Sequence, residues 1–352
     1  MIAFKDGLTI GGDSPIRVNC NIGCNKIEDI QSEISKIEFI QSCNELPDMM
    51  MDLSLIELEE PLYNYIKNNL GLPFGVVLSY HRFTKSKGYQ WEDIRDAFLR
   101  LCYDGVSFVT IHFTADLDLF SRANQIRKIP VTSRGGGMVL YDSRINNRTQ
   151  NIFRENIDEI ANIALKHNVV ISLGTTFRPG TILDACDSVH IEETLRQLSI
   201  CRLLQSKGVK VMVENIGHIT LDKIATHSKL LSKFNAPIMP LGPLPTDAAI
   251  NEDHIANAIG ATFAAYIGCA HIINCVTRYE QSKSAITQDA IIEAIRAAKV
   301  AAHIADLSRN INKAYLYDAF ITNNRIKEHS CLTDSNNCTR CSTVCPLKLT
   351  SI

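Results

Sequence analysis

Three cysteines close to the C-terminus have the spacing of a metal-binding loop. Two residues separate Cys338 from Cys341, and three residues separate Cys341 from Cys345. Thiolates hold iron-sulfur clusters and zinc, and three thiolates on a four-iron four-sulfur cluster leave one iron without a protein ligand. In a radical enzyme that iron would chelate S-adenosylmethionine. The spacing is also compatible with a four-cysteine zinc site completed by Cys331, or with a tail of free thiols.

The composition is typical of an enzyme that binds neither nucleic acid nor membrane. The chain has 352 residues, a formal net charge of -2 and 45% hydrophobic residues, which fits one large domain or two ordinary ones. No apolar run approaches the roughly 20 residues of a membrane span, and the first residues lack the features of a secretory signal. We therefore expect a cytoplasmic protein. Of its twelve cysteines, those that stand singly in apolar segments, such as Cys102, Cys201 and Cys269, are expected to be small buried side chains.

Short β-branched runs alternate with longer amphipathic ones, which predicts repeated β-α units. Helical periodicity is clear over 27–43, 55–70, 91–102, 191–207 and 288–307. The nine strand candidates are RVNCNIG, DMMMDLS, GVVLSYH, SFVTIHF, IPVTSRGGG, VVISLGTTFRPG, VKVMVENIGH, PIMPLGPLPTD and HIINCVTRYE. Eight β-α units close into a barrel of typically about 250 residues, so one candidate must be an extra element or a misassignment. We predict an α/β fold with a (β/α)8 TIM-type barrel over 1–310 and a cysteine-bearing tail over 311–352.

Polar side chains lie at or just past the end of each strand candidate. In a barrel these ends converge on one mouth, where active sites lie, and an open sheet would bring together only the ends at its switch point. No strand is followed by the G-x-G-x-x-G pattern of an open dinucleotide-binding sheet. The candidates are Asn19, Asn21, Asp52, Ser54, Tyr80, His81, His112, Ser133, Arg134, Arg178, Glu214, His218, Asp247, Arg278 and Glu280.

The run from Ser133 to Gly137 reads Ser-Arg-Gly-Gly-Gly and differs from the other strand ends. Glycines beside an arginine can bring backbone N–H groups and a guanidinium onto a phosphate. A glycine-rich turn between a strand and a helix is also common as plain loop geometry. Phosphate binding is the interpretation that we favour.

Ten segments, in order and with similar separations, resemble the phosphomethylpyrimidine synthase family of radical S-adenosylmethionine enzymes. They are RVNCNIG, MMMDLS, DGVSFVTIH, VTSRGGG, ISLGTTFRPG, DACDSVH, KVMVENIGH, LGPLPTD, EDHIANAIGA and KVAAHIADL. The resemblance implies a (β/α)8 barrel, a homodimer, and a cysteine-rich tail that brings a four-iron four-sulfur cluster over the barrel mouth, often that of a partner subunit. It also implies S-adenosylmethionine as a cofactor and a reductant of the flavodoxin or ferredoxin type. The family's usual substrate, aminoimidazole ribonucleotide, is rearranged to hydroxymethylpyrimidine phosphate, formate and carbon monoxide.

The resemblance assigns roles to residues of the predicted mouth. It places Asn21, Met51, Tyr80 and His112 around the substrate, Ser133, Arg134 and Gly135 at its phosphate or ribose, Arg178 and Glu214 at the rest of the pocket, and Cys338, Cys341 and Cys345 on the cluster. An anionic phosphate favours Arg134 with backbone N–H groups, and an imidazole amine favours a carboxylate such as Glu214. Outside the family context, Glu214 could be a buried salt-bridge partner, His112 a satisfied core histidine and Met51 core packing.

The sequence departs from the family at a second metal site. The family's E-G-P-G-H and E-H segments each supply a histidine to zinc or a similar ion, and here they read Glu-Asn-Ile-Gly-His218 and Glu280-Gln281. Glutamine is a poor zinc ligand compared with imidazole, so zinc or iron at His218 is expected to be bound weakly or not at all. His254 and Glu280 are the alternative ligands.

Three further departures lie near the predicted mouth or in the tail. Thr175 stands where the family has a carboxylate that faces the ribose, Met239 stands where it has a tyrosine, and the tail has one residue fewer between its last two cysteines. These differences are typical of a divergent paralogue. We therefore expect a radical enzyme acting on aminoimidazole ribonucleotide or a close relative, and the product is left open. The alternatives are a hydroxybenzimidazole synthase-like enzyme of cobamide synthesis and a non-catalytic binding barrel with a zinc clasp.

Overall fold

A computed structural model describes residues 1–282, 285–327 and 340–350. The chain divides into two compact units, Met1–Ala305 and Asp306–Ile352. Cys331 and Cys338 lie outside the described residues. In the described ranges, no helix combines the length and apolar character needed to cross a bilayer.

Eight parallel strands form the sheet of the larger unit. They are β1 (Arg17–Ile22), β2 (Met49–Asp52), β3 (Phe74–Val77), β4 (Phe108–Ile111), β5 (Val170–Leu173), β6 (Val211–His218), β7 (Ile238–Leu244) and β8 (Ile272–Asn274), in the order β8-β1-β2-β3-β4-β5-β6-β7. The backbone N–H of His271 donates to the carbonyl oxygen of Ile238 (2.8 Å), which links the two ends of this order. The sheet is therefore a nearly closed, TIM-like barrel, as the alternating pattern predicts. A short antiparallel pair, Ile2–Ala3 with Thr9–Ile10, precedes it.

One of the nine strand candidates, IPVTSRGGG, is wrong. Its first residues form an irregular segment, and Arg134 is the first residue of a helix. The hydroxyl oxygen of Ser133 accepts a hydrogen bond from the N–H of Gly136 (3.0 Å), which is the capping interaction of a helix N-terminus. Pro130 also lacks the N–H that a central strand would donate. The β-branched residues of this run therefore belong to a connection between β4 and β5.

The helices surround the barrel or belong to the smaller unit. They are α1 (Ile30–Ser42), α2 (Leu62–Tyr65), α3 (Trp91–Asp104), α4 (Leu117–Ile126), α5 (Arg134–Ile145), α6 (Ile152–Glu155), α7 (Ile157–His167), α8 (Ser188–Ser206), α9 (Leu221–Leu231), α10 (Asp253–Tyr266), α11 (Gln288–Ser308), α12 (Asn312–Lys327) and α13 (Pro346–Thr350). A π-helical turn, Ile66–Leu70, continues α2. The helical pattern predicted over 55–70 therefore begins seven residues late, because Pro61 stands directly before α2.

Helix α3 shows how the sequence specifies these elements. Ile94, Ala97, Phe98 and Leu101 recur at helical spacing and are all buried, so one face of the helix packs on the barrel. Gly105 follows the last turn with a φ of 102°, a left-handed conformation that glycine adopts without strain, and its N–H donates to the carbonyl of Leu101.

The barrel interior is filled by apolar side chains rather than by a channel. The residues that pack there are Met49, Met51, Val77, Phe108, Val170, Met212, Met239 and Ile272. Gly75 makes room for one of them, because a Cβ atom at this position would lie 2.2 Å from the Phe108 ring. The prediction that Cys102, Cys201 and Cys269 are buried is confirmed. The interior closes one end of the barrel and leaves the carboxyl ends of the strands open for a site.

Candidate active site

A cavity of about 580 Å³ lies at the carboxyl ends of the strands, and most of the predicted residues line it. The predicted residues on its wall are Asn21, Met51, Tyr80, His112, Ser133, Arg134, Arg178, Glu214, His218 and Glu280. Gly135 is not on the wall but lies directly behind it. The cavity is large enough for a small organic ligand, and charged and polar groups converge on it from several strands. The individual roles of these residues stay predictions.

His112 is a buried, neutral histidine on the cavity wall, and both of its ring nitrogens have hydrogen-bond partners. Its Nε2 lies 3.0 Å from the Ser133 hydroxyl oxygen and its Nδ1 lies 3.5 Å from that of Ser79. Burial, with a smaller contribution from the charge of Arg178, lowers the pKa of His112 to about 3. Because the Ser133 oxygen already accepts from Gly136, its own hydroxyl hydrogen is available to Nε2.

Gly135 is required by close packing rather than by loop flexibility. It lies in the first turn of α5, and a Cβ atom there would be 2.5 Å from Cε1 of His112 and 2.6 Å from the Ser79 hydroxyl. The glycine therefore allows the start of α5 to press against His112. The predicted flexible phosphate loop is instead a capped helix N-terminus whose first residues face the cavity.

Arg134 brings a positive charge to this helix N-terminus. Its Nη1 donates to the side-chain oxygen of Asn25 (2.9 Å), and its guanidinium lies over the Tyr80 ring, 5.6 Å from the ring centre. Burial raises the pKa of the Tyr80 phenol, although Arg134 and Arg178 oppose this shift. A helix N-terminus beside a guanidinium is a favourable environment for an anion such as phosphate.

Glu214 is the buried carboxylate of the cavity wall. Its Oε1 accepts hydrogen bonds from the hydroxyls of Thr110 (2.7 Å) and Ser172 (3.4 Å), which lie on neighbouring strands. Burial raises the pKa of Glu214, and the Thr110 bond and the charge of Arg178 act in the opposite direction. A carboxyl group with a raised pKa, in reach of a ligand, can accept a proton or bind an amine.

The family resemblance predicts that Thr175 faces the ribose, but the structure turns its side chain away from the cavity. Its hydroxyl donates to a carboxylate oxygen of Glu193 (2.6 Å), and its carbonyl accepts from Nη1 of Arg178 (3.1 Å). Glu193 also accepts from the Thr114 hydroxyl (2.7 Å) and from the backbone N–H groups of Thr176 (2.5 Å) and Phe177 (2.7 Å). Met239 likewise packs in the barrel interior. Neither departure adds a polar group to the described part of the cavity wall.

The second metal site of the family is only half preserved. Nδ1 of His218 lies 2.7 Å from a carboxylate oxygen of Asp247, which is the outer-sphere contact that metal-binding histidines commonly make. Burial alone would raise the pKa of Asp247, but hydrogen bonds from Thr181, His218 and the N–H of Ile182 lower it. His218 therefore fits a ligand role.

At the position of the family's second histidine, Gln281 is held by hydrogen bonds to Asp253. The Gln281 side chain donates to Oδ1 of Asp253 (2.5 Å), and its backbone N–H donates to Oδ2 (2.9 Å). His254 points to Glu293 (3.4 Å) and does not line the cavity, so it is not a substitute ligand here. Glu280 does line the cavity.

The sequence interpretation missed an ion pair on the cavity wall. Glu33 and Lys36 lie one helical turn apart on α1, are mostly buried, and are joined by a hydrogen bond. Glu33 also accepts from the N–H of Gly23 (3.2 Å). The signal was a pair of opposite charges at i, i+3 on the helix face that otherwise carries Ile37 and Ile40.

Two of the three tail cysteines are described. A single 3-10 turn, Ser342–Val344, separates Cys341 from Cys345, and both thiols are free and half-buried. Two unpaired thiols on one short turn are a donor set that suits an iron-sulfur cluster. The third, Cys338, lies outside the described residues.

The sequence of this chain is similar to that of known radical enzymes over most of its length. A profile of the Radical SAM ThiC family matches residues 4–331. The phosphomethylpyrimidine synthase of Sulfurisphaera tokodaii is 33% identical over 329 residues, covering 90% of this chain and 75% of that protein. That of Saccharolobus islandicus is 34% identical over 320 residues, covering 88% and 72%. Among solved structures, Xanthomonas albilineans dihydropteroate synthase has a TM-score of 0.45 at 10% identity over 82% of this chain and 92% of that one. The chain belongs to the ThiC family of radical S-adenosylmethionine enzymes.

Proposed function

We propose that this protein rearranges aminoimidazole ribonucleotide, or a close relative, in a radical reaction started from S-adenosylmethionine. The observation that carries the proposal is the cavity, which combines an anion-binding helix N-terminus at Arg134 with a buried carboxyl group, Glu214. A phosphorylated ribose and an imidazole amine are the two groups that such a pair would recognise.

The nucleotide phosphate is best accommodated at the start of α5. Arg134 lines the cavity there, and the first N–H groups of the helix provide additional donors. Asn25 holds the guanidinium in place, so little side-chain freedom is lost when the phosphate binds. Phosphate binding at this end directs the base of the nucleotide towards the interior of the cavity.

Glu214 and Arg178 would position the base and ribose. Glu214 is fixed by Thr110 and Ser172, and Arg178 is fixed by the carbonyl of Thr175, so both have defined orientations before a ligand arrives. His112 is neutral and shares its hydrogen bonds with serines, so it shapes the wall without adding charge. This preorganised wall excludes water from a reactive intermediate and fixes the carbon that loses hydrogen.

Cys338, Cys341 and Cys345 would hold the four-iron four-sulfur cluster. When bound, the cluster supplies the electron that cleaves S-adenosylmethionine to a deoxyadenosyl radical. The free thiols of Cys341 and Cys345 on a single turn support this assignment. A reductant of the flavodoxin or ferredoxin type, a second copy of the chain and a cytoplasmic setting belong to the same proposal.

The product is either hydroxymethylpyrimidine phosphate, as in thiamine synthesis, or a hydroxybenzimidazole. One observation separates this chain from the pyrimidine synthases and motivates the second candidate: Gln281 is bonded to Asp253 where the family resemblance predicts a metal-binding histidine. With His218 present and the second histidine replaced, the groups that line the cavity differ from those of the family at the place where the product would form.

The test is an anaerobic reaction with reconstituted iron and sulfide, a reductant, S-adenosylmethionine and aminoimidazole ribonucleotide, followed by mass spectrometry. We expect deoxyadenosine together with one of the two products. Cys341→Ala should abolish deoxyadenosine, whereas Cys201→Ala, at a buried cysteine remote in sequence from the tail, should not. A fully reconstituted protein that yields no deoxyadenosine would contradict the proposal and favour a binding barrel.

A further inference from the structure

A cluster of one cysteine and two histidines lies outside the cavity, in the layer between the barrel and its helices. Cys186 precedes α8, His190 lies in its first turn, and His227 lies on α9. One potential ligand atom from each residue lies within 4.8 Å of those from the other two. None of the three side chains lines the cavity, so this cluster is separate from the proposed active site.

Asn215 of β6 orients both imidazoles. Its side-chain oxygen lies 3.3 Å from Nε2 of His190 and 3.1 Å from Nε2 of His227. The Asn215 amide nitrogen donates to Thr194 (3.2 Å) and Gln197 (2.8 Å), which fixes the oxygen towards the histidines. The same oxygen also accepts from the N–H of Ile216 (2.7 Å), which leaves one of its two lone pairs for the imidazoles. His190 carries its hydrogen on Nε2, because its Nδ1 accepts from the N–H of Cys186.

The remaining ring nitrogens are suitable for a ligand role. Nδ1 of His190 accepts from the backbone N–H of Cys186 (3.3 Å), and this weak hydrogen bond must break when the nitrogen binds an ion. Burial lowers the pKa of His227 to about 4 and that of His190 well below its ordinary value, so both rings are neutral at pH 7. An imidazole that donates its other N–H to an amide oxygen is the usual arrangement of a metal-binding histidine.

The backbone of Cys186 is held in an unusual conformation. Its φ is 61°, in the left-handed region, which costs a residue other than glycine roughly 1 kcal/mol or more. This conformation keeps the half-buried thiol beside the two histidines, where it also packs against the hydrophobic core and makes a weak contact with the carbonyl of Lys223 (3.8 Å). Strain that places a thiol next to two oriented imidazoles indicates a function for the thiol.

We propose that Cys186, His190 and His227 bind a zinc ion. One thiolate and two imidazoles suit this borderline-soft ion, and a water molecule would fill the fourth tetrahedral position. On binding, the Cys186 thiol loses its proton to solvent and its sulfur binds the metal. The two rings are stacked, with centres 4.1 Å apart and planes inclined by 23°, so they must tilt further apart to point at one ion.

The ion would join three elements behind the active site. It would fasten α8 and α9 to the segment before α8, in which Thr181 and the N–H of Ile182 bind Asp247, the partner of His218. Its effect on the enzyme is therefore structural, through the position of this segment. The proposal does not depend on the reaction catalysed in the cavity.

The test uses the full-length chain in which the four cysteines of the tail, at 331, 338, 341 and 345, are replaced by alanine. Cobalt(II) is titrated as a probe, because a thiolate ligand gives a charge-transfer band that a site built on His218 alone cannot give. We expect one cobalt per chain with this band. Cys186→Ala should lose the band, and Cys201→Ala, at a buried cysteine within α8, should keep it.

Zinc affinity and thermal unfolding provide the second readout. Zinc should raise the Tm of the tail-substituted protein and of Cys201→Ala, but not of Cys186→Ala. Asn215→Ala should keep one zinc site and weaken it by about 10- to 100-fold, because the histidines lose their outer-sphere partner. Absence of the cobalt band in the parent protein, or an unchanged band in Cys186→Ala, would overturn the proposal and leave a hydrogen-bonded histidine pair.

Discussion

Replacement of Glu193 should reveal how strongly the segment before Arg178 is held. The Glu193 carboxylate accepts four hydrogen bonds, two from threonine hydroxyls and two from the backbone N–H groups of Thr176 and Phe177. In Glu193→Ala the hydroxyls can rotate to other partners, but the two backbone donors are left buried without one. A buried unsatisfied group costs about 1–3 kcal/mol, so we expect a loss of roughly 2–6 kcal/mol in the free energy of unfolding.

Glu193→Gln gives an intermediate expectation. The glutamine keeps one oxygen that can accept two of the four hydrogen bonds, but its NH2 group faces the remaining donors. The loss should therefore be about half that of the alanine variant. Glu192→Gln is the matched control, because Glu192 is a partly exposed neighbour that pairs with Arg196 at the surface (2.9 Å). A surface ion pair contributes about 0–1 kcal/mol.

The assay is urea unfolding followed by circular dichroism, with the midpoint and slope compared across the three variants. The expected order of destabilisation is Glu193→Ala, then Glu193→Gln, then Glu192→Gln. If both Glu193 variants unfold at the same urea concentration as the control, the four-bond anchor contributes nothing and the reasoning is refuted.

Three further predictions concern the cavity wall and the first turn of α5 behind it. Gly135→Ala should destabilise the protein by about 1–3 kcal/mol, whereas Gly137→Ala, with nothing within 4 Å of the new Cβ, should be neutral or stabilising by up to about 1 kcal/mol in thermal unfolding. His112 has a pKa of about 3 against 6.5 when unfolded, so its contribution to stability is present above pH 6.5 and is lost as the pH falls from there towards 3. Its Cε1 proton signal, identified by its loss in His112→Gln, should not titrate between pH 5 and 8, and a midpoint near 6.5 would contradict the burial argument. Arg134→Ala should weaken binding of the nucleotide by about 10- to 150-fold in calorimetry and leave the dephosphorylated nucleoside unaffected. An equal loss for both ligands would exclude a phosphate role for Arg134.

The alternating pattern predicted the barrel because each strand is a short buried run followed by a helix with one apolar face. The extra candidate, IPVTSRGGG, failed for a local reason. The Ser133 hydroxyl oxygen accepts the N–H of Gly136 and caps a helix, which outweighs the strand preference of the β-branched residues before it. Helix α8 begins at Ser188, before the predicted 191, because the Asp187 side chain accepts the N–H of His190. Capping interactions of this kind depend on the orientation of one side chain, and the spacing of apolar residues along the sequence carries no information about that orientation.

The site was predictable where chain topology alone decides position. Strand ends of a barrel converge, so Asn21, His112 and Glu214 meet although they are far apart in sequence. The direction in which a side chain turns was not predictable from the sequence. The Thr175 side chain turns to Glu193 instead of the cavity. The ion pair of Glu33 and Lys36 lines a part of the cavity for which the sequence predicted no charged residues.

The pairing of β1 with β8 has a consequence for synthesis of the chain. Asn19 on β1 donates to the side-chain oxygen of Asn274 on β8 (2.6 Å), and 255 residues separate the two. A ribosome adds about 5–20 residues per second, so β1 waits roughly 13–50 s for the strand that completes its edge. During that time β1 presents unpaired N–H and C=O groups to other nascent chains. Until β8 emerges, this edge of β1 is therefore the part of the sheet most exposed to pairing with another chain.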